Sequence, residues 1–494
     1  MSAHDAAARG LFLGFDVGTQ STKAVVVDAA TRAVVGRGSA PHALVDGLPA
    51  GHMEQRPGDW LAACVVAGKQ ALAGLDCAAV RGIGVSGQQH GCVVLDGNGA
   101  VVRPAKLWCD TATAAEAAEL STALGRAVPT GFTASKLLWL VRHEPANWAK
   151  VAAVLLPHDF VNAWLTGERS MEAGDASGTG FFDPATRAFD ARAMAAIDAR
   201  LPALLPPLRG AGTFAGRLCA ATAAELGLPA GVPVSAGGGD NMMSAIGSGA
   251  TKQGVVVASL GTSGTVFART DRPMVDPQGL IAPFCSSDGA WLPLLCVMNL
   301  TGVTEEVRAL TGLDHGALAA AAAQVAPGSD GLVWLPFLMG ERVPDLPHAT
   351  GTLLGLRPGL LRPGHLYRAA LEGTACNLGL GLDRLRALGL QIGEVRLTGG
   401  GAHNPLWRQI LADVFGCSIR LLAETESAAL GGAIQALWAV RRAGGEADLP
   451  CDAVAAPFVR LGEPVLPDQS RAWATAALRA RFRAELLRLH PGAV

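Results

Sequence analysis

Two short stretches, far apart in the chain, share one layout. Residues 11–28 read LFLGFDVGTQSTKAVVVD and residues 255–268 read VVVASLGTSGTVFA. In each, an apolar run leads into Gly-Thr and a hydroxyl-rich turn, and a second apolar run follows, so each reads as a β-hairpin. Gly18-Thr19 corresponds to Gly261-Thr262. An ordinary hairpin turn needs Gly, Asn or Asp for its backbone. It does not need Asp16 before it, Thr19, Ser21 and Thr22 within it and Lys23 after it. A chain of 494 residues is too long for one core. A hairpin of one kind opening each half points to internal duplication, against the alternative of a chance match between two Gly-Thr pairs. The junction is expected near residues 249–252, which gives domains over 10–250 and 251–494. The Ala-, Arg- and Leu-rich C-terminus reads as a closing helix.

Strand-like and helix-like stretches alternate along both halves, the mark of an α/β class. VRGIGVSGQQHGCVVLD (80–96) reads as strand, polar break, strand, and GFTASKLLWLVRHEP (131–145) as a helix stopped at Pro145. GVPVSAGGGDNMMSAIGSGA (231–250) reads as strand, glycine loop, helix. EVRLTGGGAHNPLWRQILADVFG (394–416) repeats that plan, with Asn404 as N-cap and Pro405 at the first helical position. ESAALGGAIQALWAV (426–440) is a further helix with small residues on one face.

Net charge is −2 and there is no long basic block, which argues against nucleic acid or an anionic membrane as the main partner. The ten cysteines form no C-x-x-C pair, so reduced thiols in a cytoplasmic protein are expected rather than a zinc site. The N-terminus, with Asp5 and Arg9, reads as neither signal peptide nor span, and no later segment has the apolar length of one.

The turns suit phosphate. Gly and Thr in a tight turn let backbone N–H groups converge on one point, and such a concavity binds anions. Two such turns, one per domain, could grip a polyphosphate from two sides. Asp16 could hold a Mg²⁺, which takes one or two carboxylates plus phosphate oxygens. Gly399–Gly401 form a third glycine loop before a helix. None of the three matches the P-loop or the dinucleotide fingerprint. Phosphoryl transfer also needs a base, and Asp240 follows three glycines at a helix start. It reads either as an N-cap or as a carboxylate open to a ligand, with Asn241 as a second polar contact. Gln88, Gln89 and His90 crowd between two glycines, a density of donors and acceptors that suits a hydroxyl-rich ligand, although a lone His is more often packed. Trp108 is either a sugar platform or a core aromatic.

Together these residues resemble the FGGY carbohydrate kinases. GFDVGTQSTKAVVVD is similar to the first phosphate hairpin of that family, and GFTASKLLWLVRH (131–143) and GTLLGLRPGLLRPGHLYRAALE (351–372) to its two signatures, in order. The likeness covers nearly the whole chain. It implies two actin/hexokinase-like (ribonuclease H-like) α/β domains flanking a catalytic cleft, with ATP and Mg²⁺ as cofactors. GQQHG, LLPHDF, AGGGDN and LPFLMGERVP are most similar to the xylulose-phosphorylating branch, with Gln89 where Met is frequent. The resemblance implies ATP-dependent phosphorylation of a ketopentose, D-xylulose, at its terminal hydroxyl. Alternatives are another sugar or polyol such as ribulose, or a non-catalytic sugar sensor. Asp240 would be the base. Gln89, His90, Trp108 and Asn241 would join it around the sugar, and Asp16 would serve the metal. Thr19, Lys23, Gly261, Thr262 and Ser263 would face the phosphates, with Gly400, Gly401 and Asn404 near the adenosine. Glu341, Arg342 and Glu372 sit in motifs read as structural. A homodimer is compatible with this reading.

Overall fold

The computed structural model describes residues 10–493. Asp5 and Arg9, on which the N-terminal reading rests, lie outside the described residues.

Two mixed sheets organise the chain. The first is built from β1 (Leu11–Val17), β2 (Ser21–Asp28), β3 (Ala33–Pro41), β4 (Val80–Gly87), β5 (Phe214–Arg217) and β6 (Pro233–Ser235), in the order β5-β6-β4-β1-β2-β3. The second is built from β7 (Gly254–Leu260), β8 (Gly264–Ala268), β9 (Ala282–Cys285), β10 (Trp291–Val297), β11 (Ile392–Thr398) and β12 (Ser418–Leu421), in the order β9-β10-β8-β7-β11-β12. The hairpin β1–β2 is antiparallel and β4 runs parallel to β1. In the same way β7–β8 is antiparallel and β11 runs parallel to β7. The series β3-β2-β1-β4-β6 and β10-β8-β7-β11-β12 thus repeat one topology, and the echo between the two turns is a real duplication.

The helices around these sheets are, in chain order, α1 (Pro57–Leu72), α2 (Thr133–His143), α3 (Pro157–Thr166), α4 (Asp240–Gly247), α5 (Thr301–Thr311), α6 (Pro363–Ala387), α7 (Pro405–Phe415), α8 (Ser427–Ala443) and α9 (Ala472–Leu489). Strand alternation decides what each packs on. Leu13, Phe15 and Val17 of β1 join Trp60, Cys64 and Ala67 of α1. On the other face Phe12, Val25 and Val27 join Ala429, Ala433 and Leu437 of α8. On the second sheet Val256, Ala258 and Leu260 pack with α6 and α7, whereas Val255 and Val257 meet Met242 and Ala245 of α4.

The inner helices are therefore exchanged. α4, from the first half of the chain, covers the second sheet, and α8, from the second half, covers the first. Glycines make the approach close enough. A methyl group at Gly14 would lie 1.9 Å from the Ala429 carbonyl oxygen, and one at Gly84 would lie 2.0 Å from that of Gly432. The small face read in 426–440 is this contact.

Most local expectations hold. Asn404 caps α7, accepting from the Leu406 and Trp407 amides, with Pro405 at the first helical position. The closing helix is α9. α2 ends at His143, before Pro145, which also opens a four-residue helix, Pro145–Trp148. The two strands read in 80–96 are Val80–Gly87 and Val93–Leu95, and they join different sheets, because Val93–Leu95 pairs with Ala153–Leu155. All ten cysteines are free thiols, six of them buried. Among the described residues no helix is long and apolar enough to cross a membrane.

Candidate active site

The sugar-side candidates meet where β4 ends and α4 begins. Gly239 is the N-cap of α4, so Asp240 does not cap it. Asp240 Oδ1 instead accepts from the Asn241 amide at 2.8 Å and from Asn241 Nδ2 at 3.0 Å. Its Oδ2 carries no hydrogen bond among the described residues. Asn241 Nδ2 also donates to Gln89 Oε1 at 2.9 Å. Burial, and then the Asp16 carboxylate, push the Asp240 carboxyl up to about 7. Asp16 lies on the α8 face of β1 and accepts from Ser86 Oγ at 2.8 Å. Burial lifts it to about 6, against the pull of the Ser86 hydrogen bond and of Lys23.

His90 follows in the turn after β4 with φ of +66°, a left-handed conformation uncommon for a side chain of this kind. Lys136 of α2 fixes it. Lys136 Nζ donates to the carbonyls of His90 at 2.7 Å and Gly131 at 2.5 Å, and no carboxylate pairs with it. Burial pulls Lys136 down to about 7, and burial plus the Lys136 charge pull His90 down to about 3. The neutral imidazole stacks on Phe132, ring centroids 4.6 Å apart, and its Nδ1 is buried without a partner.

The first turn is braced from behind. Thr19 Oγ1 donates to Gln88 Oε1 at 3.1 Å and accepts from Trp108 Nε1 at 2.9 Å. Gln88 Nε2 also reaches the Gly18 carbonyl. Gln88 is thus committed to the turn, and the indole N–H of Trp108 is used there too. Lys23 Nζ forms an ion pair with Glu426 Oε2 at 2.7 Å, just before α8.

The nucleotide-side candidates line a cleft of about 620 Å³ in the second half. Gly261, Thr262, Gly400, Gly401 and Asn404 are in its wall; Ser263 is not. The second turn docks on the start of α5, where the Leu300 and Thr301 amides donate to the Thr262 and Gly261 carbonyls, each at 3.0 Å. Gly399, at φ +86°, passes so close to β7 that a Cβ would meet the Leu260 carbonyl at 2.7 Å. A Cβ on Gly400 would meet nothing within 4 Å. The cleft could take a flat base and a ribose. It has apolar surface from Ala319 and Trp407, and hydroxyl and acid groups from Thr301, Thr304, Glu305 and Tyr367.

Sequence reading missed several residues. Tyr367, His315 and Glu305 form a hydrogen-bonded rim, with His315 Nδ1 3.0 Å from Tyr367 Oη and Nε2 2.7 Å from Glu305. Glu172 accepts from the Gly174 and Asp175 amides and from Ser287 Oγ beneath the Gly237–Gly239 loop, and burial raises it to about 7. Glu341 accepts from the Met298 and Arg342 amides, and Glu372 from Arg368, Ser329 and the Gly328 amide. Those two carboxylates hold loops in place. His52, Glu54 and Asp110 cluster tightly enough for a metal, but Lys106 Nζ sits 3.0–3.2 Å from all three.

Comparison with known proteins places this architecture. Residues 11–247 match the N-terminal domain of the FGGY family of carbohydrate kinases, and residues 256–440 match its C-terminal domain. The chain is 41% identical to a xylulose kinase from Haemophilus influenzae, over 92% of this chain and 94% of that protein. It is also 41% identical to a xylulose kinase from Streptomyces coelicolor, over 86% and 87%. A crystal structure of xylulose kinase from Rhodospirillum rubrum superposes with a TM-score of 0.88 at 31% identity, covering 98% of this chain and 99% of that one. The two-domain α/β fold is that of the actin/hexokinase-like sugar kinases, and the chain belongs to the FGGY family of carbohydrate kinases.

Proposed function

We propose that this chain transfers the γ-phosphoryl group of ATP to the C5 hydroxyl of D-xylulose, giving D-xylulose 5-phosphate and ADP. The observation that carries it is the state of Asp240. One oxygen is pinned by two N–H donors and the other is left without a partner, in a half-buried carboxyl raised to about 7. Such a group can take the proton of an attacking alcohol. As the sugar oxygen bonds to the γ-phosphorus, the bond from that phosphorus to the β,γ-bridging oxygen breaks, ADP leaves, and the hydroxyl proton passes to Asp240 Oδ2. Asn241 holds the other oxygen and Gln89 holds Asn241; with His90 they suit the sugar hydroxyls, and Trp108 stands at the first turn.

The donor set fits Mg²⁺. Asp16 and Asp240 are two half-buried carboxylates close enough for one to raise the other, an excess of negative charge that a hard cation would relieve. Asp16 would hold the ion, which would neutralise charge on the phosphate oxygens. Gly261 and Thr262 suit the phosphates, and Gly400, Gly401 and Asn404 the adenosine. Thr19 and Lys23 belong to the phosphate side on the strength of the first turn, although Lys23 must exchange Glu426 for phosphate to take part. Ser263 stands outside the cleft wall and would act only through the turn it completes. We place the unit boundary at residues 249–252, between α4 and β7. A cytoplasmic homodimer belongs to the same reading, and light scattering tests the assembly.

An ADP-release assay over D-xylulose, ribuloses, other ketoses and glycerol tests the substrate. D-xylulose should give the highest kcat/KM, with phosphate on C5 of the product. A higher kcat/KM for another acceptor overturns the sugar, and no ADP release with any acceptor overturns the kinase.

A further inference from the structure

Five side chains run in a line from the interior to the reacting carboxylate. His158, in the first turn of α3, is completely enclosed. Its Nδ1 is 2.6 Å from Asp175 Oδ2 and its Nε2 is 3.0 Å from Asp159 Oδ1. Burial alone would discharge the ring, but the two carboxylates outweigh it and hold the imidazolium well above its ordinary range. The backbone that carries Asp175 is anchored, its amide donating to Glu172 Oε1 at 2.7 Å.

The other Asp175 oxygen, Oδ1, is buried and has no regular hydrogen bond, and the same is true of Gln89 Nε2. The two groups face each other without ideal geometry; burial raises the Asp175 carboxyl, and His158 and, more weakly, the Gln89 amide act against that rise. Gly239 leaves room for both. A Cβ there would lie 2.7 Å from Gln89 Cγ and 3.1 Å from Asp175 Oδ1. A carboxylate accepts only, so the amide nitrogen must turn toward it. Gln89 Oε1 then points the other way, where it accepts from Asn241 Nδ2. The reversed amide would set oxygen against carboxylate at one end and N–H against N–H at the other.

The geometry points to Asp175 as a positioning residue that acts through Gln89. Held by His158, it fixes the Gln89 amide, which aims Asn241 at Asp240 Oδ1 and leaves Oδ2 as the oxygen that receives the hydroxyl proton. This rests on the reading of Asp240 as the base. A methionine at position 89 could make neither end of the link, so the chain of contacts is a property of this glutamine.

A double-mutant cycle tests it. Asp175→Asn keeps the shape but offers either end to Gln89, and Gln89→Met keeps the volume and removes both ends. Each should lower kcat by about 10- to 50-fold with the KM for ATP within about twofold, and the double variant should fall no more than about threefold below the worse single, because residues acting in series are not additive. Effects that multiply, or either single variant within about twofold of wild type, overturn the proposal. If Asp175→Asn does not fold, Gln89→Met decides alone. A kcat loss at unchanged thermal midpoint supports the link, and unchanged kcat overturns it. A readout without turnover is solvent exchange of the Gln89 side-chain amide, identified by its loss in Gln89→Met. It should be about tenfold faster in Asp175→Asn, and equal exchange overturns the link. Wild-type turnover of a ketopentose, measured alongside, separates failure of this link from failure of the proposed reaction.

Discussion

After burial itself, the Asp16 carboxylate is what most holds the proton on Asp240. The two come from opposite ends of the first half of the sequence, one on β1 and the other opening α4, and meet on the side of the first sheet that α8 covers. Both carboxyls are raised above the ordinary value of 3.8, to about 6 and about 7. The folded chain therefore binds these protons more tightly than the unfolded chain. Their contribution to stability is present at low pH and is lost as pH rises from about 4 through about 7. Ligand-free wild type, melted in chelator, should lose thermal stability between about pH 4 and about pH 7 relative to Asp240→Asn, which lacks that group. Parallel curves for the two proteins would contradict the raised carboxyl.

Asp240→Asn should also lower kcat by roughly 10²–10⁴ with ATP binding retained, the range for loss of a general base. Near-wild-type turnover by the folded variant would remove Asp240 from the chemistry.

Lys136 holds His90 in its left-handed conformation by two carbonyls, with no carboxylate of its own. Lys136→Met removes this clamp. The KM for the sugar should rise by about tenfold and the KM for ATP by less than twofold, since buried polar partners discriminate strongly. Equal changes in both constants would place Lys136 in general packing instead.

Gly400 lines the cleft, and its Cβ direction is open. Gly400→Val should fold normally and raise the KM for ATP by about tenfold or more, because a branched side chain fills space that the nucleotide needs. Calorimetry with a non-hydrolysable ATP analogue reads this directly, with sugar binding as the control.

Gly84→Ala brings a methyl to 2.0 Å from the Gly432 carbonyl oxygen. That neighbour is backbone in the middle of α8, so it cannot turn aside. Overpacking of this kind costs about 1–3 kcal/mol, seen as a lower midpoint in urea. An unchanged midpoint would mean that α8 can lift from the first sheet.

The duplicated hairpin was readable because its code is local. Gly18-Thr19 and Gly261-Thr262 sit between apolar runs, and β1–β2 and β7–β8 follow from that alone. Asn404-Pro405 was readable for the same reason. Asp240 stood out because three glycines precede it. What escaped depends on distant partners. Nothing near Lys23 announces Glu426, and nothing near Thr19 announces that Gln88 and Trp108 will brace it. His158 and Asp175 look ordinary in sequence, and acquire meaning only because α3 and the Gly237–Gly239 loop bring them under Gln89. Tyr367 and His315 lie far from the Gly400 loop in sequence and reach the same cleft on two other helices, Tyr367 on α6 and His315 at the start of His315–Ala323.

A ribosome completes all the strands of the first sheet long before it reaches Ser427, where α8 begins. Until α8 emerges, Phe12, Val25 and Val27 have only Met243 and Ile246 of α4 to share their cluster, and the nascent chain carries a largely open apolar face for the greater part of its synthesis. The second sheet has α4 ready for one face, but the core on its other face takes in Leu478, Phe482 and Leu486 of α9, which emerges last of all. Neither half can therefore close its core until the last tenth or so of translation, the first waiting for α8 and the second for α9. A gene divided at its own repeat would yield an N-terminal product that cannot seal its core and a C-terminal product that carries the missing helix away with it.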